Sequence, residues 1–267
     1  MTTGSTRDAK WSQRSILPGA GVTDRLRGGA AVESDMRIIA LDASTELCSA
    51  ALGDGAVWKE RAERAGQRHS EWLLPMVREL LAGSRIGLPE IDGIAFGAGP
   101  GSFTGLRIAC GVAQGLAFAA GLTVVGVSTL EAMAEVARSR HGATRVVAAL
   151  DARMHEIYVA AYEHDGTRWR AALEPVAVDP GAAPLPPGGG WTGVGAGFAA
   201  YPSLGERLES VLDRRDETIA PNAATIGALA LPRFAAGEGV HAREAAPLYL
   251  RHRVALTASE RAAGLRL

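Results

Sequence analysis

Cysteine is nearly missing: the 267 residues include two, Cys48 and Cys110. Two thiols cannot build a disulfide framework, and neither sits in a Cys-x-x-Cys or zinc-ligand spacing, so a reducing cytoplasm is the compartment expected. An excess of either charge is missing too. Twenty-eight Lys and Arg stand against 29 Asp and Glu, a formal net charge of −1, and no global positive field exists to gather nucleic acid or an acidic membrane. Any RNA contact is then local or made through a partner. Long hydrophobic runs are scarce: Arg, Gln and Gly interrupt the candidates before the roughly 18 residues of a membrane span, and no membrane association is expected. Residues 1–35 lack the apolar stretch of a signal peptide and mix Thr, Ser, Gly, Arg and Asp. They read as a disordered leader ahead of a start at Met36. What is abundant is core: 47% hydrophobic against 21% charged residues excludes a disordered chain, and the length fits one large domain or two small lobes.

The chain reads as a duplication. Arg37 to Leu52, "RIIALDASTELCSAAL", is a hairpin around a polar turn, and Arg145 to Ala161, "RVVAALDARMHEIYVAA", repeats the layout, with Asp42 and Asp151 each ending an apolar strand. After the first hairpin come a strand from Ala56 to Glu63, an amphipathic helix from Gln67 to Ala82 and a buried strand from Ile91 to Gly97. A helix over Phe103 to Ala120, a strand over Thr123 to Val127 and a helix over Ser128 to Arg138 follow. The second half is expected to hold a Pro/Gly loop at 180–190, a strand in "WTGVGAGF", helices near Tyr201 to Leu212 and Ala223 to Phe234, and a last strand in "APLYLR". Residues 36–138 form the first lobe and 139–267 the second, whose last helices are placed to pack back on the first.

Two turns could carry chemistry. Duplicated lobes that open on an Asp-bearing hairpin are the layout of the actin-like, Hsp70-like and sugar-kinase-like (ASKHA) ATPases, a two-lobed α/β fold. There the first turn holds nucleotide phosphates and its Asp orients magnesium. Here that turn is Asp42-Ala43-Ser44-Thr45, with Ala43 where glycine would admit phosphate; taken by itself it also reads as an Asx turn. In "GAGPGSFTGLR" Gly97, Gly99 and Gly101 permit positive φ, and Ser102 or Thr104 can cap the helix that follows. An anion cradle built of Gly99, Gly101 and Ser102, and simple tight strand-to-helix packing, are both consistent with it. No Gly-Lys-Ser/Thr follows, so it is not a Walker loop. His69 opens the first helix with Leu73 four residues on, which rules against a zinc pair. The helix over Phe103 to Ala120 is apolar nearly all round, and its Gly105/Ala109/Ala113 strip reads either as a subunit contact or as internal core.

"IIALDASTELCSAAL", "HSEWLLPMV", "IAFGAGPGSFTGLRIACGVAQGLA", "VGVSTLEAMA" and "LDARMHEIYVA", in this order, resemble the TsaB (formerly YeaZ) family, the partner subunit of the bacterial machinery that makes threonylcarbamoyladenosine in tRNA. The resemblance runs from Met36 to "PLYLR" and is most specific in the GPGSFTGLR block. It implies the ASKHA fold and a subunit without a catalytic site that scaffolds and activates TsaD, the related chain that transfers threonylcarbamoyl to the adenosine beside the anticodon. It implies a heterodimer with TsaD, TsaE as a further partner and tRNA reached through the complex; in the absence of TsaD the same helix face could pair two copies of the chain, and monomer and homodimer both stay open for the isolated chain. TsaD holds its metal through His-x-x-x-His on the helix equivalent to the one at His69; here the second ligand is replaced by Leu73, so the metal belongs to TsaD. ATP or ADP would find at most a degenerate site of Asp42, Ser44, Thr45, Gly99, Gly101, Ser102 and Asp151. The expected partner face comprises His69, Trp72, Leu73, Met76 and Leu80 on one helix and Gly105, Ala109, Val112, Ala113 and Leu116 on the other. The alternative is an active ASKHA hydrolase or small-molecule kinase; a peptidase ranks last.

Overall fold

The computed structural model describes residues 36–250 except residue 67, so the expectation of a disordered leader over 1–35 lies outside the described residues. The first half contains β1 (Ile38–Asp42), β2 (Leu47–Gly53), β3 (Trp58–Arg64), α1 (His69–Ser84), β4 (Gly93–Gly99), α2 (Phe103–Ala120), β5 (Thr123–Ser128) and α3 (Thr129–His141). The second contains β6 (Arg145–Arg153), β7 (Glu156–His164), β8 (Trp169–Val178), β9 (Trp191–Val194), α4 (Ala196–Ala200), α5 (Pro202–Leu208), β10 (Leu212–Asp216), α6 (Ala223–Ala235) and β11 (Val240–His241).

The sheets repeat each other. Their orders are β11-β5-β4-β1-β2-β3 and β10-β9-β6-β7-β8. In each, an antiparallel meander (β1-β2-β3, β6-β7-β8) joins a parallel set through its first strand (β1-β4-β5, β6-β9-β10). Only β11, an antiparallel two-residue strand on β5, has no counterpart among the described residues. This is the two-lobed ASKHA architecture.

The period of two along a strand sorts the core into layers. From β1, Ile39 and Leu41 join α1 and α2 on one side of the first sheet, while Ile38 and Ala40 join α6 on the other. In the second sheet, Val146, Ala148 and Leu150 of β6 pack under α3, and Val147 and Ala149 pack with Phe198, Leu204 and Leu208 of α4 and α5. The last helix of each half thus covers the sheet of the other half.

Several expectations are corrected. β8 and β10 carry no clean apolar alternation: β8 is a partly exposed strand with Pro175 in it, and three of the five residues of β10 are charged and exposed. The stretch 246–250 is not a strand. It is a strap laid along α2, with the Leu248 N–H donating to the Ala98 carbonyl at 2.7 Å and the Gln114 side chain donating to the Ala245 carbonyl at 2.9 Å. Finally, α2 is long and apolar enough to meet the length-and-composition criterion for a membrane span, contrary to the expectation that no run would. Its two polar interruptions, Arg107 and Gln114, fall within that criterion; the helix lies on the first sheet, where Ala109, Cys110, Ala113 and Ala117 join the core.

Candidate functional site

The β1–β2 turn begins where β1 stops in the interior. Asp42, Ala43 and Ser44 are all buried. The Asp42 carboxylate accepts from the Ser44 N–H at 3.3 Å and from the Ser44 hydroxyl at 3.1 Å, an Asx turn closed on itself. Burial, reinforced by the charge of nearby Glu60, pushes the Asp42 carboxyl up to about 7 against the hydrogen bonds from Ser44. Gly97 is obligatory opposite, because a Cβ there would overlap an Asp42 carboxylate oxygen.

The β4–α2 turn closes over the same spot. The Ser102 N–H donates to the Ser44 carbonyl at 2.7 Å, and the Ser102 hydroxyl accepts from the Gly105 N–H at 3.3 Å as the N-cap of α2. A Cβ on Gly101 would strike the Ser44 carbonyl, and one on Gly105 would strike that of Ala43. Among the three glycines of the turn only Gly99 takes a positive φ, +122°; Gly97 and Gly101 are there for close approach. The two turns are therefore stitched into each other, with the Ala43 and Ser44 carbonyls packed directly against the start of α2. Thr45, half-buried, turns back to its own strand and accepts from the Leu47 N–H at 3.2 Å.

Asp151 does not end its strand as Asp42 does: β6 runs on to Arg153, and Asp151 pairs with Ile157 inside the ladder, where a bulge follows it and its side chain is also engaged. It accepts from the Tyr201 hydroxyl at 3.0 Å and the Arg153 N–H at 2.8 Å, and pairs with the Arg153 guanidinium at 3.3 Å. The N-terminus of α6 is filled from the first half: the Ala223 N–H donates to the Ser49 hydroxyl at 2.9 Å, the Ala224 N–H to Glu60 at 3.0 Å, and Asn222 caps Thr225 at 2.9 Å. A resident carboxylate occupies the position where an anionic ligand would be attracted.

The expected partner face needs correction. His69 is buried, with Nε2 2.8 Å from the Thr45 carbonyl, so it pins the β1–β2 turn to the start of α1. Leu73, Met76 and Leu80 of α1, and Gly105, Ala109 and Ala113 of α2, face their own sheet. Trp72, Val112 and Leu116 are half-buried at its margin. The side turned to solvent carries Leu74, 44% exposed, on α1, and on α2 Phe118 together with Gly111 and Gly115, whose Cβ positions meet nothing. Among the described residues no group of three or more His, Cys, Asp and Glu could hold a metal.

The comparisons fit this geometry. The model of the family "TsaD: tRNA N6-adenosine threonylcarbamoyltransferase" matches residues 61–191. The "tRNA threonylcarbamoyladenosine biosynthesis protein TsaB" of Escherichia coli is 43% identical over 226 residues, covering 82% of this chain and 96% of that protein. The chain belongs to the TsaB family. The Haemophilus influenzae TsaB is 39% identical over 82% of this chain and 95% of its own length. The solved structure of "YeaZ from Pseudomonas aeruginosa" superposes with a TM-score of 0.74 at 40% identity, over 80% of this chain and all of that one.

Within this TsaB-family chain the sequence named both turns but missed the groups that close them. Glu60 reads as one charge of the alternating run "WKERAER", and Ser49 as one small residue of β2; only the docking of α6 gives them a task. Tyr201 carries no signal in the sequence that pairs it with Asp151 fifty positions away.

Proposed function

We propose that the chain is a subunit without its own catalytic site that scaffolds and activates TsaD in the synthesis of threonylcarbamoyladenosine on tRNA. The observation that carries this reading is the interlock of the Ser44 carbonyl with the Ser102 N–H, which, with buried Asp42, closes the first turn against the start of α2. Membership of the TsaB family supplies the pathway, and the buried Leu73 four residues after His69 supports the reading that this chain contributes no metal pair. The partner surface is the outer side of α1 and α2, with Trp72, Leu74, Gly111, Val112, Gly115 and Leu116, rather than the inward strip. TsaE joins as a further partner, and tRNA is engaged through the complex, in keeping with the net charge of −1.

The rival reading, an active nucleotide hydrolase or kinase, needs Asp42 at magnesium and an open cradle, and both are opposed by the hydrogen bonds above. A peptidase needs a base beside a nucleophile, yet among the described residues no hydrogen bond joins a histidine ring to a Ser, Thr or Cys side chain. The test is co-purification with TsaD followed by reconstituted tRNA modification with and without this chain. Modification that needs both chains, with no ATP turnover by this chain alone, supports the proposal. Robust turnover by the isolated chain, or full modification without it, overturns it.

A further inference from the structure

The chain has 29 acidic residues, yet none falls between Asp92 and Glu131 or between Glu244 and Glu260. The first of these gaps holds the β4–α2 turn and all of α2, and the second holds the strap and the residues that follow it. The fold brings the two gaps together, because Cys110 and Gln114 of α2 both bond to the Ala245 carbonyl at the root of the strap. A chain of net charge −1 therefore has one flank whose own elements supply arginine and no carboxylate.

On that flank Phe103 and Tyr249 pack with ring centroids 5.5 Å apart and a tilt of 38°, and each is 41% exposed. The Arg107 guanidinium, one helical turn on from Phe103, lies 4.0 Å from the centre of its ring and donates through Nε to the Tyr249 hydroxyl at 3.1 Å. Both terminal amino groups of Arg107 are left without a partner among the described residues, on a plane fixed by the two rings. The rings are also braced from behind. Pro100, Gly101, Leu106, Tyr158 and Leu248 reduce the space beneath them to a cavity of about 30 Å³, room for little more than a water.

Exposed aromatic faces accept an unstacked nucleobase, and a guanidinium with two free amino groups grips a phosphate. The N-terminal end of α2, where Phe103 stands, adds a field of the same sign. Beyond Leu250 the chain continues as Arg251, His252 and Arg253, further positive charge for a polyanion and nothing for an apolar protein surface. The platform is also clear of the surface assigned to TsaD: at ~100° per residue Phe103 lies about 180° round α2 from Val112.

We infer that the platform of Phe103, Arg107 and Tyr249 binds a single-stranded segment of RNA, stacking an unpaired base on the two rings and holding its phosphate with the free amino groups of Arg107. This rests on the reading of the chain as a subunit for tRNA modification and adds the surface through which it touches the RNA. The strap is then a recognition element as well as a brace, and TsaD and RNA are held at the same time on different sides of α2.

The test uses the full-length chain in complex with TsaD and two probes, a fluorescently labelled single-stranded oligoadenylate and an unmodified tRNA transcript, with binding read by anisotropy over a range of salt. Phe103→Leu, Tyr249→Leu and Arg107→Gln are compared with the wild type, and thermal melts confirm that each is folded. Loss of a stacking face is expected to weaken oligoadenylate binding roughly 5- to 150-fold in Phe103→Leu and Tyr249→Leu. Arg107→Gln is expected to lower the slope of log K against log salt by about 0.7, the share of one phosphate contact on a single strand. Affinity for TsaD, measured by calorimetric titration, stays at the wild-type value in all three. Unchanged binding of both probes by every variant overturns the inference and leaves the proposed function standing. A loss confined to TsaD affinity does the same and makes the platform a protein contact. Weaker binding by Arg107→Gln with an unaltered salt slope overturns the phosphate contact. Full modification of the transcript when this chain is omitted overturns the proposed function instead.

Discussion

At the scale of single residues, the most consequential is Asp42. Its folded pKa of about 7 lies above the ordinary 3.8, so protonation favours the folded state. The stabilisation tied to its proton is fully present below pH 3.8 and is lost progressively as the pH rises through 7. Raising a carboxyl that far corresponds to about 4 kcal/mol as an order of magnitude. Asp42→Asn keeps the acceptor for Ser44 without the charge. It is expected to raise Tm by several degrees at pH 8 and to leave it nearly unchanged at pH 4, as read by calorimetry at the two pH values. An equal gain at both would mean that Asp42 is charged throughout, and no gain at either that it is neutral throughout. Gly105 acts through space instead. Gly105→Ala drives a Cβ into the Ala43 carbonyl and is expected to cost about 3 kcal/mol, roughly 6–12 °C in Tm. The sequence made Ser102 legible as an N-cap because capping is local. It left the need for glycine at 105 hidden, because the carbonyl it must clear comes from a turn some sixty residues earlier.

Elements were read with uneven success for physical reasons. The helix from Phe103 to Ala120 matches α2 at both ends because Ser102 and Gly121, in the left-handed conformation at φ +67°, punctuate it locally. Its polarity could not say which side meets the sheet. The Gly105/Ala109/Ala113 strip reads either as a subunit contact or as internal core, and it is core: Gly105 meets the β1–β2 turn, while Ala109 and Ala113 pack under the first sheet. This gives a paired expectation. Ala113→Arg puts a charge into the core and should yield little folded protein. Val112→Arg, one position round the helix and half-buried, should melt close to wild type while weakening TsaD binding at least tenfold, measured by calorimetric titration. Equal folding of both variants would contradict the burial of Ala113, and undiminished TsaD binding by Val112→Arg would move the partner face elsewhere.

For the whole molecule, the duplication is legible in the two Asp-bearing hairpins, although only β1 ends at its Asp, whereas the way the halves are joined is not legible. The covering helix of each sheet comes from the other half. Leu130, Met133, Ala134 and Ala137 of α3 seal the second sheet, and Ile226, Ala230, Leu231 and Phe234 of α6 seal the first. The α6 N-terminus is further tied to β2 and β3 through Ser49 and Glu60. A cut at the sequence repeat therefore strips both sheets of one layer. It exposes Ile38, Ala40, Val125 and Val127 on one piece and Val146, Ala148 and Leu150 on the other, each of the larger aliphatic side chains losing about 1.5–3 kcal/mol of transfer energy. Summed over both pieces, that loss is comparable with the ~5–15 kcal/mol by which a whole domain is stable. The intact chain should then unfold in a single transition, with calorimetric and van't Hoff enthalpies equal. A fragment of residues 36–141 expressed alone should lack a cooperative melt and dispersed amide resonances, and should gain both when residues 142–267 are added in trans. Two separated transitions in the intact chain, or a cooperatively folded 36–141 fragment, would show that each sheet holds its core without the helix of the other.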